Sequence, residues 1–139
     1  MGPNWGYEIP DEHHQFAHVL IDAGVDVVFG HSSHHVKAVE VYRGRIILYG
    51  CGDFLNDYEG IPSPGEFRND LTMMYFPTLD VKTGELVELE MVPLLIRRFR
   101  LQHPSSSDAN WLVGTMDREC RRFGARVVKR DERTVLEWN

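Results

Sequence analysis

The feature that most constrains the fold is an amphipathic segment that leads through one glycine into a short apolar run. Pro10, Asp11 and Glu12 suit the first turn of a helix, because proline fits there and acids complement the positive end of the helix dipole. The apolar residues that follow have the spacing of one helix face: Phe16, Val19, Leu20 and Ala23. Gly24 ends the predicted helix, and Val25–Phe29 has the composition of a buried strand. A helix, a turn and a buried strand form half of an α/β unit.

Two β-hairpins are predicted further along the chain. Ala38–Tyr42 and Arg45–Tyr49 are separated by only an Arg-Gly pair, which is typical of two strands joined by a tight turn. Leu71–Val81 and Leu86–Ile96 flank a second turn and form the second hairpin. In its second strand apolar residues alternate with glutamates, which predicts one buried and one exposed face. The apolar positions of this alternation are Val87, Leu89 and Met91.

Between and after the hairpins the pattern predicts a long loop, a helix and two more strands. Gly50–Asp70 is rich in Gly, Pro, Asp and Asn, and loops of about twenty residues inside a compact domain are usually functional or mobile. Asp108 is a suitable cap for a helix over Ala109–Phe123. The apolar stripe of this helix consists of Leu112, Met116, Cys120 and Phe123. Ala125–Lys129 and Thr134–Trp138 are predicted to pair as the last strands.

Length and composition limit the class of protein. A chain of 139 residues accommodates one domain, so we expect a single α/β (α+β) domain over residues 1–139. The net charge is −6 and no basic stripe occurs, which argues against nucleic acid or an anionic membrane as a partner. No apolar run approaches the ~20 residues of a membrane span, and no signal peptide is recognisable, so no membrane contact is expected from this chain. Cell envelope and cytoplasm both remain open as its location.

The two cysteines, Cys51 and Cys120, are isolated in the sequence and form no Cys-x-x-Cys motif. We interpret them as reduced thiols, with a single bridge between them as the alternative. Cys51 lacks an assignable base nearby, so we do not expect it to act as a nucleophile.

Two histidines directly follow the predicted strand, in the motif Gly30-His31-Ser32-Ser33-His34. Neutral imidazole is a common ligand of Zn, Mn and Fe, and a strand end holds such ligands rigidly. We therefore predict that His31 and His34 bind a metal, the alternative being an ordinary surface loop. His14 and His18 lie one helical turn apart and could also chelate, but we interpret that pair as a solvated helix surface.

Two further segments could contribute to a site. Asp53 lies in the turn Gly50–Phe54 and could face an ion or orient a histidine, or could simply bond its own backbone. Asn4–Tyr7 precedes the helix that leads to the histidine motif, and could pack back on the domain or line a pocket. Asn56–Glu59 could also line a pocket, although ordinary loop polarity explains these residues equally well.

Several blocks together resemble the CapA family of capsule (poly-γ-glutamate) biosynthesis proteins. The resemblance is specific from about Gly2 to Asp70, and the strands Leu71–Ile96 fit the same family more weakly. The CapA family is similar to calcineurin-like metallophosphoesterases, which have a two-metal site at the edge of a β-sandwich flanked by helices. The blocks that carry the resemblance are Leu20–Val28, Gly30–His34, Val39–Arg45, Ile46–Tyr49 and Gly52–Phe54.

The resemblance implies roles for individual residues. His31 and His34 resemble the metal ligands of a Gly-His-x-x-His motif, and Asp53 stands where many relatives have asparagine, as a catalytic or histidine-orienting group. Ser32 and Ser33 would be donors near the substrate. The metal would be Mn, Fe or Zn, in a dinuclear site.

Asn4 is implied as a substrate-binding residue near the family's His-Trp-Gly motif. In one alignment Gly2-Pro3-Asn4 continues that motif, and the family's histidine lies before residue 1. In the other, Asn4-Trp5-Gly6 aligns on the motif and asparagine replaces the histidine.

The resemblance also implies that the chain is the C-terminal half of the sandwich and holds only part of the metal site. The other ligands would come from an N-terminal half of the same fold. The partners implied are that half or a second copy of the chain in a homo-oligomer. The function implied is a metal-dependent phosphoesterase-like hydrolase of capsule synthesis, inactive as this fragment alone, with a non-catalytic binding or assembly module as the alternative.

Overall fold

The computed structural model describes residues 4–55 and 65–139, and Asn56–Glu59 lie outside the described residues. Within these ranges the chain forms two helices and two β-sheets, which confirms the α+β class. The helices are α1 (Asp11–Asp22) and α2 (Ser106–Cys120), followed by a 3-10 turn at Arg121–Phe123. Neither of these helices has the length and apolar character needed to cross a bilayer. The strands are β1 (Val27–Phe29), β2 (Val39–Tyr42), β3 (Arg45–Leu48), β4 (Leu71–Leu79), β5 (Leu86–Ile96), β6 (Leu101–Gln102), β7 (Ala125–Arg130) and β8 (Arg133–Trp138).

The smaller sheet has the strand order β1-β3-β2. Strands β2 and β3 form the first predicted hairpin, and its turn residues Arg43 and Gly44 have positive φ angles of 49° and 75°. Positive φ at both positions gives a turn whose twist matches that of the flanking strands. Strand β1 lies parallel to β3, with Phe29 opposite Leu48. The segments that follow β1 and β3 therefore leave the sheet at the same edge.

The larger sheet has the order β4-β5-β8-β7, with the short β6 beside β5. Strands β4 and β5 form the second predicted hairpin, and β7 and β8 form the predicted final pair. One expectation for β5 is wrong, because Val87 is exposed while Leu89 and Met91 are buried. The pairing register shifts between Thr78 and Leu79, so Val87 has no partner on β4. The added residue of such a bulge changes the face on which a side chain lies.

Helix α2 begins earlier than predicted. Its N-cap is Ser105, whose hydroxyl oxygen accepts the backbone N–H of Asp108 at 3.1 Å. Asp108 therefore lies in the first turn and is not the cap itself. The helical segment ends at Gly124, which has a φ of 75° and the left-handed conformation typical of this position.

A carboxylate on α2 connects the helix to β7. Asp117 accepts the backbone N–H of Val127 at 3.0 Å and also binds the guanidinium groups of Arg121 and Arg126. Its side chain is largely shielded, and these partners satisfy it. The contact fixes the position of α2 relative to the strand that follows it.

The described residues form two hydrophobic cores of unequal size. The large core lies between the two sheets and α2, and includes Met73 and Leu89 of the larger sheet, Ile46 of β3 and Met116 of α2. The small core joins α1 to the other face of the smaller sheet through Ala17, Ile21 and Ile47. Helix α1 is thus held by far less apolar packing than α2.

The predicted buried strand and apolar helix face are wrong in part. In β1 only Val28 packs into the small core, and Phe29 is 62% exposed. Phe16 and Val19 of α1 are 63% and 60% exposed, while Ala17 and Ile21 make the buried face. The reason is tertiary: β1 is an edge strand, and no described residue covers the face that carries Phe29.

Candidate functional site

The histidine motif begins where β1 approaches the end of β3 very closely. The backbone N–H of Gly30 donates to the Leu48 carbonyl at 2.7 Å. A Cβ atom at Gly30 would lie 2.5 Å from the Tyr49 carbonyl oxygen, closer than real Cβ atoms come to backbone. Glycine is therefore needed at this position for space. The turn itself is made two residues later, at Ser32, which has a φ of 90°.

His34 and Asp53 are brought together, as the histidine-orienting interpretation of Asp53 requires. The His34 Nδ1 atom lies 3.0 Å from Asp53 Oδ2, and both side chains are mostly shielded from solvent. A carboxylate that accepts the proton of one ring nitrogen leaves the other nitrogen free to bind a metal. This is the usual arrangement around histidines that bind metals.

His31 and Ser32 lie on the outer part of the same loop. His31 is exposed, and its Nδ1 atom lies 3.4 Å from the Ser32 hydroxyl. Within residues 4–55 and 65–139, no compact group of three potential metal-binding side chains includes His31 or His34. The loop thus offers two imidazoles, one of them oriented by Asp53 from the neighbouring turn, and two imidazoles are only part of a coordination sphere.

The two other predicted substrate-binding residues differ in their surroundings. Ser33 is buried, and its hydroxyl has no hydrogen-bond partner among the described residues. It lies against Gly50, where a Cβ atom would be 2.5 Å from the Ser33 hydroxyl oxygen. Asn4 is exposed, and its backbone carbonyl accepts the N–H of His34 at 3.1 Å. The roles of both residues in binding substrate stay predictions.

A third histidine, His35, was not predicted to matter, yet it anchors the site. Its Nε2 atom accepts the backbone N–H of Gly6 at 3.0 Å, and its Nδ1 atom donates to the Val36 carbonyl at 2.9 Å. These two bonds require a neutral ring protonated at Nδ1. Burial lowers the pKa of His35 and outweighs the bond to the Val36 carbonyl, which raises it. The only local sign of this role in the sequence is that His35 directly precedes Val36, the first apolar residue of a buried stretch.

Aromatic rings surround His35 on several sides. The Phe67 ring stacks on it at 4.8 Å between centroids, and the Tyr7 ring meets it edge-on at 4.7 Å. Trp5 lies against His34 at 5.1 Å. The segment before α1 therefore packs back onto the histidine loop, as one of the two interpretations of Asn4–Tyr7 expected.

The other interpretation also has support, because part of this segment lines an open cleft of about 640 Å³. Gly6 and Tyr7 form one side of the cleft together with Phe67, and α2 forms the other. The guanidinium group of Arg118 on α2 lies 5.4 Å from the centre of the Tyr7 ring. The cleft thus offers aromatic surface close to His35, and its arginine is paired with the Glu119 carboxylate at 2.8 Å.

The two cysteines are free thiols, in agreement with the interpretation that they are reduced. Burial raises the pKa of both Cys51 and Cys120 to about 12. Such thiols are protonated at neutral pH and are poor nucleophiles. This agrees with the expectation that Cys51 has no nucleophilic role.

Comparison with known proteins places the histidine loop in a family context. Residues 1–58 match the family described as bacterial capsule synthesis protein PGA_cap. A probable polyglutamine synthesis accessory protein of Mycobacterium tuberculosis is 50% identical over 131 residues, which cover 94% of this chain and 34% of that protein. The capsule biosynthesis protein CapA of Bacillus anthracis is 33% identical over 145 aligned residues, covering 100% of this chain and 33% of that protein. The PGA biosynthesis protein CapA of Bacillus subtilis is 38% identical over 58 residues, 39% of this chain and 15% of that protein.

The chain belongs to the CapA family. It spans about a third of the length of the mycobacterial and Bacillus anthracis relatives. The segment that matches the family description, residues 1–58, contains the CapA-like histidine loop and Asp53. Phe67 and α2, which complete the aromatic cluster and the cleft, lie beyond that segment.

The site expected from the sequence would hold divalent metal ions, and the residues of this chain fit that expectation in kind. Imidazole nitrogen and carboxylate oxygen suit Zn, Mn and Fe. His34 has one ring nitrogen engaged by Asp53, which leaves Nε2 as a ligand atom. His31, on the exposed part of the loop, could supply a second nitrogen. The remaining ligands would have to come from outside the described residues.

Proposed function

We propose that this CapA-family chain forms one side of a metal-dependent, phosphoesterase-like hydrolase site in a protein of capsule or polyglutamate synthesis. The names of its relatives support the biological role. The contact between His34 and Asp53 at the edge of the smaller sheet is the observation that carries the chemical role. A carboxylate that fixes the tautomer of a histidine and leaves its second nitrogen free is the arrangement that metal-binding histidines use.

In this proposal each residue of the loop has a distinct task. His31 and His34 bind the metal, and Asp53 holds the His34 ring in one orientation. Ser32 on the loop and Asn4, whose backbone is bonded to the loop, contact the substrate. Ser33 supplies a hydroxyl whose hydrogen-bonding capacity is unused within the described chain. A bound divalent ion would polarise a phosphoryl or acyl group and lower the pKa of a water molecule.

We further propose that the rest of the parent protein, N-terminal to this segment, covers β1 and completes the site. Phe29 and Val27 lie on the face of β1 that corresponds to the large core, but both are exposed. The outer edge of β1 is unpaired among the described strands. An open edge with apolar side chains favours pairing with a further strand. A second copy of the chain is the alternative occupant, and light scattering of the chain would detect it as a dimer.

The test uses the full-length protein that contains this chain, with Mn²⁺ and bis(p-nitrophenyl) phosphate as a general phosphodiester. Removing a ligand with His34→Ala should lower kcat/KM by more than about 100-fold, and Asp53→Asn by about 10- to 100-fold, because outer partners of metal ligands have effects of that size. His103→Ala alters an exposed histidine in the connection before α2 and serves as the matched control. Equal activity in all four proteins would refute the assignment.

A non-catalytic role is the second candidate. It is favoured by the incomplete set of ligands around His31 and His34 within the described chain. In that case the CapA-type fold would act in binding or assembly during capsule synthesis. Complementation separates the two: if His34→Ala and Asp53→Asn proteins restore polymer production in a deletion strain, and the unaltered protein hydrolyses no phosphoester with Mn²⁺, the non-catalytic role holds.

A further inference from the structure

A second cluster of potential metal ligands lies on the opposite face of the smaller sheet from the large core. His14 and His18 are one turn apart on α1, and Glu40 lies on β2. The His18 Nε2 atom is 2.9 Å from Glu40 Oε1, and the His14 Nε2 atom is 3.4 Å from Glu40 Oε2. One ligand atom from each of the three side chains falls within 4.8 Å of the others. These residues are separate from the histidine loop of the proposed hydrolase site.

The spacing of these atoms suits a tetrahedral ion. Two ligands at about 2.0–2.1 Å from zinc, with a tetrahedral angle between them, are about 3.3–3.4 Å apart. The two nitrogen–oxygen distances in the cluster, 3.4 Å to Oε2 and 2.9 Å to Oε1 of Glu40, are close to this value. Because one ligand atom from each side chain lies within 4.8 Å of the others, the three side chains would close around an ion by at most about 1.5 Å. We propose that His14, His18 and Glu40 bind a divalent transition-metal ion of the zinc type.

The surroundings hold the three side chains in place before any ion arrives. The Tyr49 hydroxyl donates to Glu40 Oε2 at 2.5 Å, and the Tyr42 ring stacks on the His18 ring at 3.6 Å between centroids. Glu40 is buried, so its carboxylate depends on partners within the protein. The proton donor on the ligating carboxylate is the kind of outer partner that metal sites use to orient their ligands.

The cluster is also open on one side. The side chains of His14 and His18 are 35% and 22% exposed, so an ion between them could keep a water molecule as its fourth ligand. This exposure is lower than expected for a fully solvated histidine pair. The interaction with Glu40 connects the helix directly to the sheet.

The position of the cluster suggests what the ion would do. Helix α1 is attached to the sheet through only Ala17 and Ile21 as buried residues. An ion bound by residues of both α1 and β2 would stabilise the packing of the helix on the sheet, since a metal that binds only the folded state stabilises that state. The ion would therefore fasten the helix that leads into the histidine loop.

The test measures Zn²⁺ binding to the chain in a His31→Ala/His34→Ala background, which removes the loop histidines. Competition with a chromophoric chelator gives stoichiometry and affinity, and hydrogen exchange reports the protection of α1 amides. We expect one equivalent of zinc and slower exchange in α1 when zinc is present. His14→Gln and His18→Gln should each weaken binding by more than about 100-fold, and Tyr49→Phe by about 10- to 100-fold.

His13→Gln is the matched control, because His13 is adjacent in the helix and lies outside the cluster. This variant should keep full affinity. Glu40→Gln preserves the shape of the buried side chain and should also weaken zinc binding. If that variant fails to fold, the two histidine variants still test the proposal, because they alter partly exposed positions. No zinc uptake in the background protein, or equal uptake in all variants, would overturn the proposal. Neither result depends on hydrolase activity, so this test and that of the proposed function can fail separately.

Discussion

Replacing Gly30 with alanine tests the close approach of β1 to β3 at the start of the histidine loop. The added methyl group would lie 2.5 Å from the Tyr49 carbonyl oxygen and 3.1 Å from that of Leu48. Favourable contacts between heavy atoms need about 3.5–4.0 Å, so the strand ends must separate by about 1 Å. Both obstacles are backbone atoms, which cannot rotate away as a side-chain tip could.

The expected cost combines two effects. Overpacking of this kind costs about 1–3 kcal/mol, and the 2.7 Å bond from the Gly30 N–H to the Leu48 carbonyl is lost or stretched, at about 1 kcal/mol. We therefore expect Gly30→Ala to lower the free energy of unfolding by about 2–4 kcal/mol. Urea denaturation followed by circular dichroism measures the total, and hydrogen exchange at β1 shows where the loss occurs.

Gly114 provides a control with the opposite sign. It lies in the middle of α2, and a Cβ atom there would meet nothing within 4 Å. Gly114→Ala should therefore raise the free energy of unfolding by about 0.5–1 kcal/mol, because alanine loses less backbone entropy in a helix. If Gly30→Ala changed stability by less than about 0.5 kcal/mol and left exchange in β1 unaltered, the explanation of this glycine by space would be refuted.

Three further predictions concern α2 and the thiols. Ser105→Ala should lower the free energy of unfolding by about 1 kcal/mol in urea titrations, because it removes the N-cap, whereas Ser106→Ala should have little effect; equal effects would contradict the cap. Partial burial raises the pKa of Asp117, but its arginine and amide partners lower it more, so the net pKa is below its usual value. The stability that this carboxylate contributes is then present above about pH 4 and is lost as the pH falls through the lowered pKa. Urea titrations between about pH 5 and 2 should show a shallower loss for Asp117→Asn than for the unaltered chain, and parallel curves would refute this. Since burial raises the pKa of Cys51 and Cys120 to about 12, the fully buried Cys120 should not react with Ellman's reagent at pH 8 until urea unfolds the chain, and the half-buried Cys51 should react more slowly than a free thiol. Rapid labelling of both thiols in the folded chain would contradict this.

The parts of the fold that could be predicted are those determined by neighbouring residues. The hairpin at Arg43 and Gly44 follows from a two-residue turn between alternating strands, and the buried stripe of α2 follows from helical spacing. The start of α2 was misplaced because Ser105 and Asp108 are both good caps, and only the backbone conformation distinguishes them. Val87 was misplaced because a bulge depends on the partner strand, which the local sequence of β5 does not reveal.

The site was predictable to a similar extent. His34 and Asp53 come from segments that follow two strands, and their contact agrees with one of the interpretations that the sequence allowed. His35 could not be predicted, because its partner Gly6 is 29 residues away and its stacking partner Phe67 belongs to another loop. The exposure of Phe29 was missed because an apolar strand is expected to be buried, and the local sequence does not show whether another layer covers it.

The unequal size of the two cores affects both the local opening of the fold and the substitutions that it tolerates. A fluctuation that detaches α1 and β1 disrupts the small core and leaves the packing between the larger sheet and α2 in place. The histidine loop is continuous with β1, so its opening and closing need not involve global unfolding. Substitutions at an exposed loop position such as His31 can therefore alter what the loop binds with little effect on the rest of the chain, which keeps its shape through the larger sheet.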